Sequence, residues 1–147
     1  MMANYEIKVE PRLLPALTLA YIGDGVYELR VREYFVAQGF LRTNDLHKQT
    51  VSKVRAEEQA RLAAQIEPQL VGEELDIYKR GRNAKSGHQP PHVKVGDYRR
   101  ATGVEALVGY WYLMGRHDRL EWLFDKILPT GERNITDKLY KEGHDGG

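Results

Sequence analysis

No cysteine occurs anywhere in the chain, which excludes disulfides, thiolate metal sites and a cysteine nucleophile. No apolar run approaches the ~18 residues of a membrane-spanning helix, and the N-terminus lacks the basic-then-apolar pattern of a secretory signal. The cytoplasm is therefore the expected location, with no membrane partner. Strand-like alternation is missing and periodicity is helical nearly throughout. There is no nucleotide-binding glycine loop and no internal repeat. An excess of one charge sign is missing as well: 22 Lys and Arg stand against 21 Asp and Glu, a formal net charge of +1, so total charge gives no argument for nucleic acid. A chain of 147 residues fits one domain with a core that needs no staples. The expected architecture is a compact, all-α helical bundle.

Spacing predicts a first helix from about Leu13 to Ala37, ending near Gly39 as a C-cap. Thr43-Asn44-Asp45 offers N-cap chemistry ahead of Leu46. From there to Ile66 the stripe falters around Arg55 to Glu58, as two helices meeting at a bend would show. Gly72-Glu73-Glu74 opens another helix, with acids in its first turn as the helix dipole favours. Two more helices are expected over Asp97–Leu113 and Asp118–Leu128, the last stopped by Pro129. Residues 1–12 read as an N-terminal extension, 13–129 as the folded domain, and 130–147 as a polar, flexible tail.

Against this regular background two carboxylates stand out. Asp24 falls at helical offsets of three, four and seven from Leu17, Ala20, Tyr21, Tyr27 and Val31. A charge on a core-facing stripe is costly without a paired cation or a metal. The neighbouring Gly23, poorly tolerated in helices, points to a close approach of another backbone or a ligand. Far downstream Glu105 sits on a face with Ala101, Val108 and Tyr112. Two inward carboxylates repel unless one is protonated or a cation lies between them. Mg²⁺ suits such a pair, because it takes hard oxygen ligands and binds through one or two carboxylates with waters and substrate phosphates. A structural ion pair between Glu105 and an Arg, with Asp24 bonded to a Tyr, accounts for the same residues.

The even charge balance conceals a basic segment. Between Lys79 and Arg100 lie Lys79, Arg80, Arg82, Lys85, Lys94, Arg99 and Arg100 against the single acid Asp97. Gly81 to His92 reads as a loop from its Gly, Ser and Pro content. A solvated face explains such a run as simply as a binding surface does. Elsewhere bland readings suffice: His47 as a capping or packing group, Glu28 paired with Arg32, and Tyr110-Trp111-Tyr112-Leu113-Met114 as core and subunit-interface mass. His88 and His92 lack the further ligands of a zinc site. Gly103 and Gly109 suit close helix packing.

Tyr21-Ile22-Gly23-Asp24 with Val26-Tyr27-Glu28 resembles the signature helix of the ribonuclease III fold, built on a Leu-Gly-Asp step. Thr102-Gly103-Val104-Glu105-Ala106-Leu107-Val108-Gly109 resembles that fold's second acidic motif. Asn44-Asp45-Leu46-His47-Lys48, Lys79 to Gly87 and Tyr98-Arg99-Arg100 are similar to one branch, the Mini-III ribonucleases. The likeness spans about Leu13 to Leu128. Full-length ribonuclease III carries a Glu where this chain has Ala20 and an Asp where it has Thr102, so the four-carboxylate cluster is reduced to Asp24 and Glu105, as in the Mini-III branch.

The resemblance implies a Mg²⁺-dependent endoribonuclease (Mn²⁺ as a substitute) that cuts double-stranded RNA. In it Asp24 and Glu105 are both the catalytic and the metal-holding residues. It implies a homodimer, one strand cut per subunit, 5′-phosphate and 3′-hydroxyl ends, and maturation of precursor large-subunit (23S) ribosomal RNA, with the help of a ribosomal protein left open. The stretch past residue 129 is too short for the double-stranded-RNA-binding domain that usually follows this fold. RNA binding then falls to Lys85 and Lys94 on the basic segment, anchored by Arg80, Arg82 and Asn83. A-form RNA is recognised through phosphates and 2′-hydroxyls, and the scarcity of stacking aromatics there favours a duplex. Two rivals remain: a non-catalytic RNA-binding domain, favoured by the missing acids, and a protein-interaction bundle whose basic loop meets acidic partners.

Overall fold

The computed structural model describes residues 5–85 and 90–129. Among these the elements are α1 (Ala16–Ala37), α2 (Thr43–Val54), α3 (Ala56–Ile66), α4 (Gly72–Asn83), α5 (Val95–Leu113) and α6 (His117–Phe124), with short 3-10 turns at Pro11–Leu13 and Glu67–Gln69. No strand occurs among the described residues, and no helix among them is long and apolar enough to cross a membrane. The expected C-terminal tail lies outside the described residues.

The bundle is organised around α5, which packs against α1, α3, α4 and α6. Ala101–Val104 and Ala106–Trp111 are all buried, so this stretch of the helix is packed nearly all round, as a central element must be. Around it lie Leu19, Tyr27, Val31, Leu62, Ile66, Ile77, Tyr78, Leu123 and Phe124. α1 stops as its sequence predicts. Gly39 takes a φ of 101°, the Gly39 N–H donates to the Val36 carbonyl, and the Phe40 N–H donates to the Phe35 carbonyl. The Phe35 and Phe40 rings meet edge to face at 5.8 Å, completing a Schellman ending. The expected bend is real: Arg55, with ψ 154°, separates α2 from α3.

Four expectations shift. α1 begins at Ala16 rather than Leu13, because Pro11–Leu13 form a separate 3-10 turn. α5 begins at Val95, and α6 is limited to His117–Phe124. Gly81, Arg82 and Asn83 are the last turn of α4 instead of loop. Gly81 is there for contact: a Cβ on it would lie 2.7 Å from the Ala106 Cβ and 2.9 Å from the Gly103 Cα. The larger correction concerns the face of α1. Its buried side is Leu19, Ala20, Gly23, Tyr27, Val31 and Phe35, whereas Leu17 and Tyr21 are exposed, Tyr21 by 80%. Asp24 is also exposed, so it sits at the rim of the packed face and not within it.

Candidate active site

The site is built on the crossing of α1 and α5. A Cβ at Gly23 would lie 1.7 Å from the Glu105 carbonyl oxygen, and one at Gly109 would lie 2.0 Å from the Leu19 carbonyl oxygen. The two backbones therefore touch through paired glycines. That contact sets Asp24, the residue after Gly23, beside the turn of α5 that bears Glu105.

The electrostatics of the pair are unfavourable as they stand. Burial pushes the Glu105 carboxyl up from 4.5 to about 7, the Asp24 charge adds to the rise, and a hydrogen bond from Gln59 partly opposes it. Asp24, exposed as a residue but partly shielded from water at its carboxyl, is raised too, by that partial burial first and then by the Glu28 charge. Among the described residues no Lys or Arg pairs with either carboxylate. The structural ion-pair reading thus finds no partner here. Glu28 pairs with Arg32 at 3.4 Å, as its spacing predicts.

Gln59 of α3 completes the first ring of contacts. It is 2% exposed, and its Nε2 donates to the Val54 carbonyl at 2.7 Å and to Glu105 Oε1 at 3.1 Å. Beside Glu105 opens a cavity of about 330 Å³ lined by Arg55, Gln59, Val93, Tyr98 and Thr102 among others. The Thr102 hydroxyl donates back to the Tyr98 carbonyl at 3.0 Å. Sequence reading missed Gln59, although a signal existed: it occupies an apolar stripe with Leu62, Ala63 and Ile66, the same anomaly that marks Asp24.

A hard divalent cation fits what is here. Two like charges approach with no cation paired to either among the described residues, and Glu105 is half-buried with one carboxylate oxygen bonded among those residues. No cluster of three or more His, Cys, Asp or Glu able to hold a metal occurs among the described residues, so protein would supply few of the ligands. One consequence can be tested without metal. The folded chain holds the Glu105 proton more tightly than the unfolded chain, so the Glu105 contribution to metal-free stability is fully present below pH 4.5 and is lost as pH rises toward about 7. The melting temperature of the wild type relative to that of Glu105→Gln should fall across that range. An identical slope in the variant would contradict the assignment.

The basic residues divide into two groups. Arg80 donates to the Arg12 and Leu14 carbonyls, both at 2.7 Å, pinning the chain ahead of α1. Arg82 pairs with Glu67 at 3.0 Å, lies over the Tyr78 ring at 5.8 Å and donates to Asn83 Oδ1 at 3.3 Å. Lys85 and Lys94 are exposed and have no ion pair among the described residues. Residues 86–89, with His88, fall outside the described residues.

Comparison with known proteins bears on the same segment. Residues 17–116 match the family model described as the ribonuclease III domain. The chain is 51% identical over 112 residues to the Mini-ribonuclease 3 of Desulfitobacterium hafniense, covering 76% of this chain and 71% of that protein. It is 46% identical over 123 residues to the Mini-ribonuclease 3 of Symbiobacterium thermophilum, covering 84% and 95%. A crystal structure of a Fusobacterium nucleatum protein superposes with a TM-score of 0.72 at 30% identity, covering 79% and 93%.

Proposed function

Since the chain belongs to the ribonuclease III family, with Mini-ribonuclease 3 relatives along most of its length, and is an endoribonuclease, we propose that it hydrolyses double-stranded RNA with Mg²⁺ held by Asp24 and Glu105. The observation that carries this reading is the pair of carboxylates at the glycine crossing of α1 and α5, with no cation paired to either among the described residues. A divalent ion bound there supplies a water of lowered pKa and charge stabilisation at the phosphodiester. The chain's own part is positional. Asp24 faces solvent at the rim and Glu105 lies deeper, so the pair spans from the surface to the cavity. Hydrolysis adds water at phosphorus and breaks the P–O3′ bond, giving a 5′-phosphate and a 3′-hydroxyl.

Lys85 and Lys94 meet the phosphates of the duplex, while Arg80, Arg82 and Asn83 brace the end of α4 from which the basic segment leaves. The protein contacts of Arg80 and Arg82 support this division of labour. Lys85→Ala and Lys94→Ala should each weaken duplex binding and reduce the salt slope by about one, without moving the cut. Titrations at several salt concentrations with end-mapping check this, and a displaced cut would assign sequence selection to the segment.

The working form is a homodimer. Leu17, Tyr21, Leu29 and Val36 form an exposed apolar line along α1, the kind of surface that a second copy covers. The substrate is a precursor large-subunit ribosomal RNA stem in the cytoplasm, the role that the motif resemblance to the Mini-III branch implies. The direct experiment incubates a long RNA duplex with the protein in Mg²⁺ and then in EDTA. Fragments only with Mg²⁺ are expected. Binding in both and fragments in neither would identify a non-catalytic duplex-binding domain.

A further inference from the structure

We propose that Gln59 is the positioning residue for Glu105, fixing which carboxylate oxygen is left for the metal and linking that carboxylate to the α2–α3 joint. The proposal rests on the assignment of Glu105 as a metal-holding residue and extends it to a group on a different helix.

Gln59 lies on the packed face of α3 with Ala60, Leu62, Ala63 and Ile66. A buried primary amide costs free energy unless it is bonded, and both of its hydrogen bonds among the described residues run through one nitrogen. Nε2 donates to the Val54 carbonyl and to Glu105 Oε1. Both partners are acceptors, so the amide has one sensible orientation, nitrogen toward them. Glu105 is thereby held by Oε1, and no other hydrogen bond to its carboxylate occurs among the described residues. The second oxygen is the one available to a cation.

The other partner gives the contact its reach. Val54 is the last residue of α2, and Arg55 is the extended joint before α3. One amide therefore ties the joint, whose Arg55 lines the cavity, to the carboxylate at the cavity wall. Two buried polar atoms near this contact lack partners among the described residues, Gln59 Oε1 and the Tyr27 hydroxyl. Tyr27 is close enough to Glu105 to feel its charge. The surroundings of Glu105 are thus polar and incompletely bonded, and Gln59 is the group that holds the carboxylate in register. Partners that orient metal ligands in this way commonly change metal affinity by one to two orders of magnitude when removed.

The test uses the full chain, Mg²⁺ and the volume-matched variant Gln59→Met, which removes the amide. Calorimetric Mg²⁺ affinity should fall roughly 10- to 100-fold while circular dichroism shows an intact helical fold. In wild-type protein the Gln59 side-chain amide signal should shift on Mg²⁺ addition. If Gln59→Met melts earlier but binds Mg²⁺ within about twofold of wild type, well short of that range, Gln59 is only a staple and the proposal fails. Should the variant not fold, the wild-type amide signal decides: a Mg²⁺-dependent shift supports the proposal and an unmoved signal overturns it. Absence of Mg²⁺ binding by wild type would overturn the metal assignment itself, an outcome distinct from normal wild-type binding with an indifferent variant.

Discussion

Replacing Asp24 by Asn leaves the fold and duplex binding in place and lowers RNA cleavage by roughly 10³-fold or more, the scale of several kcal/mol of charge stabilisation. Asn keeps the shape of Asp and removes only the charge. The structural cost is small because Asp24 is exposed and makes no hydrogen bond or ion pair among the described residues. Its removal even relieves strain, since the Asp24 charge raises Glu105 and the Glu28 charge raises Asp24. Stability should therefore stay within about 0.5 kcal/mol of wild type or rise slightly. The catalytic cost is large because there is no reserve. Where ribonuclease III carries two further acids this chain has Ala20 and Thr102, and the Thr102 hydroxyl is already committed to the Tyr98 carbonyl. Initial rates on an RNA duplex, with melting curves and binding titrations on the same samples, measure all three quantities. Cleavage within tenfold of wild type would remove Asp24 from the mechanism.

Gly23→Ala should produce the largest loss of stability of any single methyl addition on α1. The new Cβ would meet the Glu105 carbonyl oxygen at 1.7 Å, its carbonyl carbon at 2.6 Å and the Gly109 nitrogen at 2.8 Å. All three are backbone atoms of the central helix, so no side chain can turn aside. The helices must separate, which costs about 3 kcal/mol or more, the upper end of overpacking penalties. A melting temperature lower by roughly 10 °C is the corresponding readout. The same separation moves Asp24 away from Glu105, so cleavage should fall even at temperatures where the variant is folded. Gly96→Ala is the control. It lies in the first turn of α5 with only the flexible end of Arg100 near, at 3.7 Å, and should be neutral or stabilising by a few tenths of a kcal/mol. Equal melting temperatures for Gly23→Ala and wild type would mean that the glycine crossing does not set the site.

The two carboxylates were legible because a charge breaks an apolar helical pattern wherever it falls. Which face of α1 is packed was not legible. The helix carries two apolar lines, one through Leu19, Gly23, Tyr27 and Val31 and another through Leu17, Tyr21 and Leu29. Hydrophobicity has the same value against the chain's own core as against another surface, so periodicity grouped the exposed Leu17 and Tyr21 with the buried Ala20, Tyr27 and Val31 around Asp24. Gly81 read as loop because it begins a basic, glycine-containing run, whereas its role is contact with α5. That role depends on a helix more than twenty positions away. Arg80 posed a similar problem. Its partners are the carbonyls of Arg12 and Leu14, and a backbone carbonyl leaves no trace in residue identity. Gln59 had a trace, a polar residue on an apolar stripe, but its meaning required knowing that α3 faces Glu105. Residue chemistry therefore indicated the groups, and tertiary contact assigned their roles.

On the proposed assignment Asp24 and Glu105 together hold the catalytic metal. Diffraction from crystals of the full chain grown with Mn²⁺, recorded where manganese scatters anomalously, tests it most directly. An anomalous peak is expected between the Asp24 and Glu105 carboxylates, nearer the Glu105 oxygen that Gln59 does not hold, with its loss in Asp24→Asn. A peak elsewhere on the molecule, with none between these carboxylates, would contradict it.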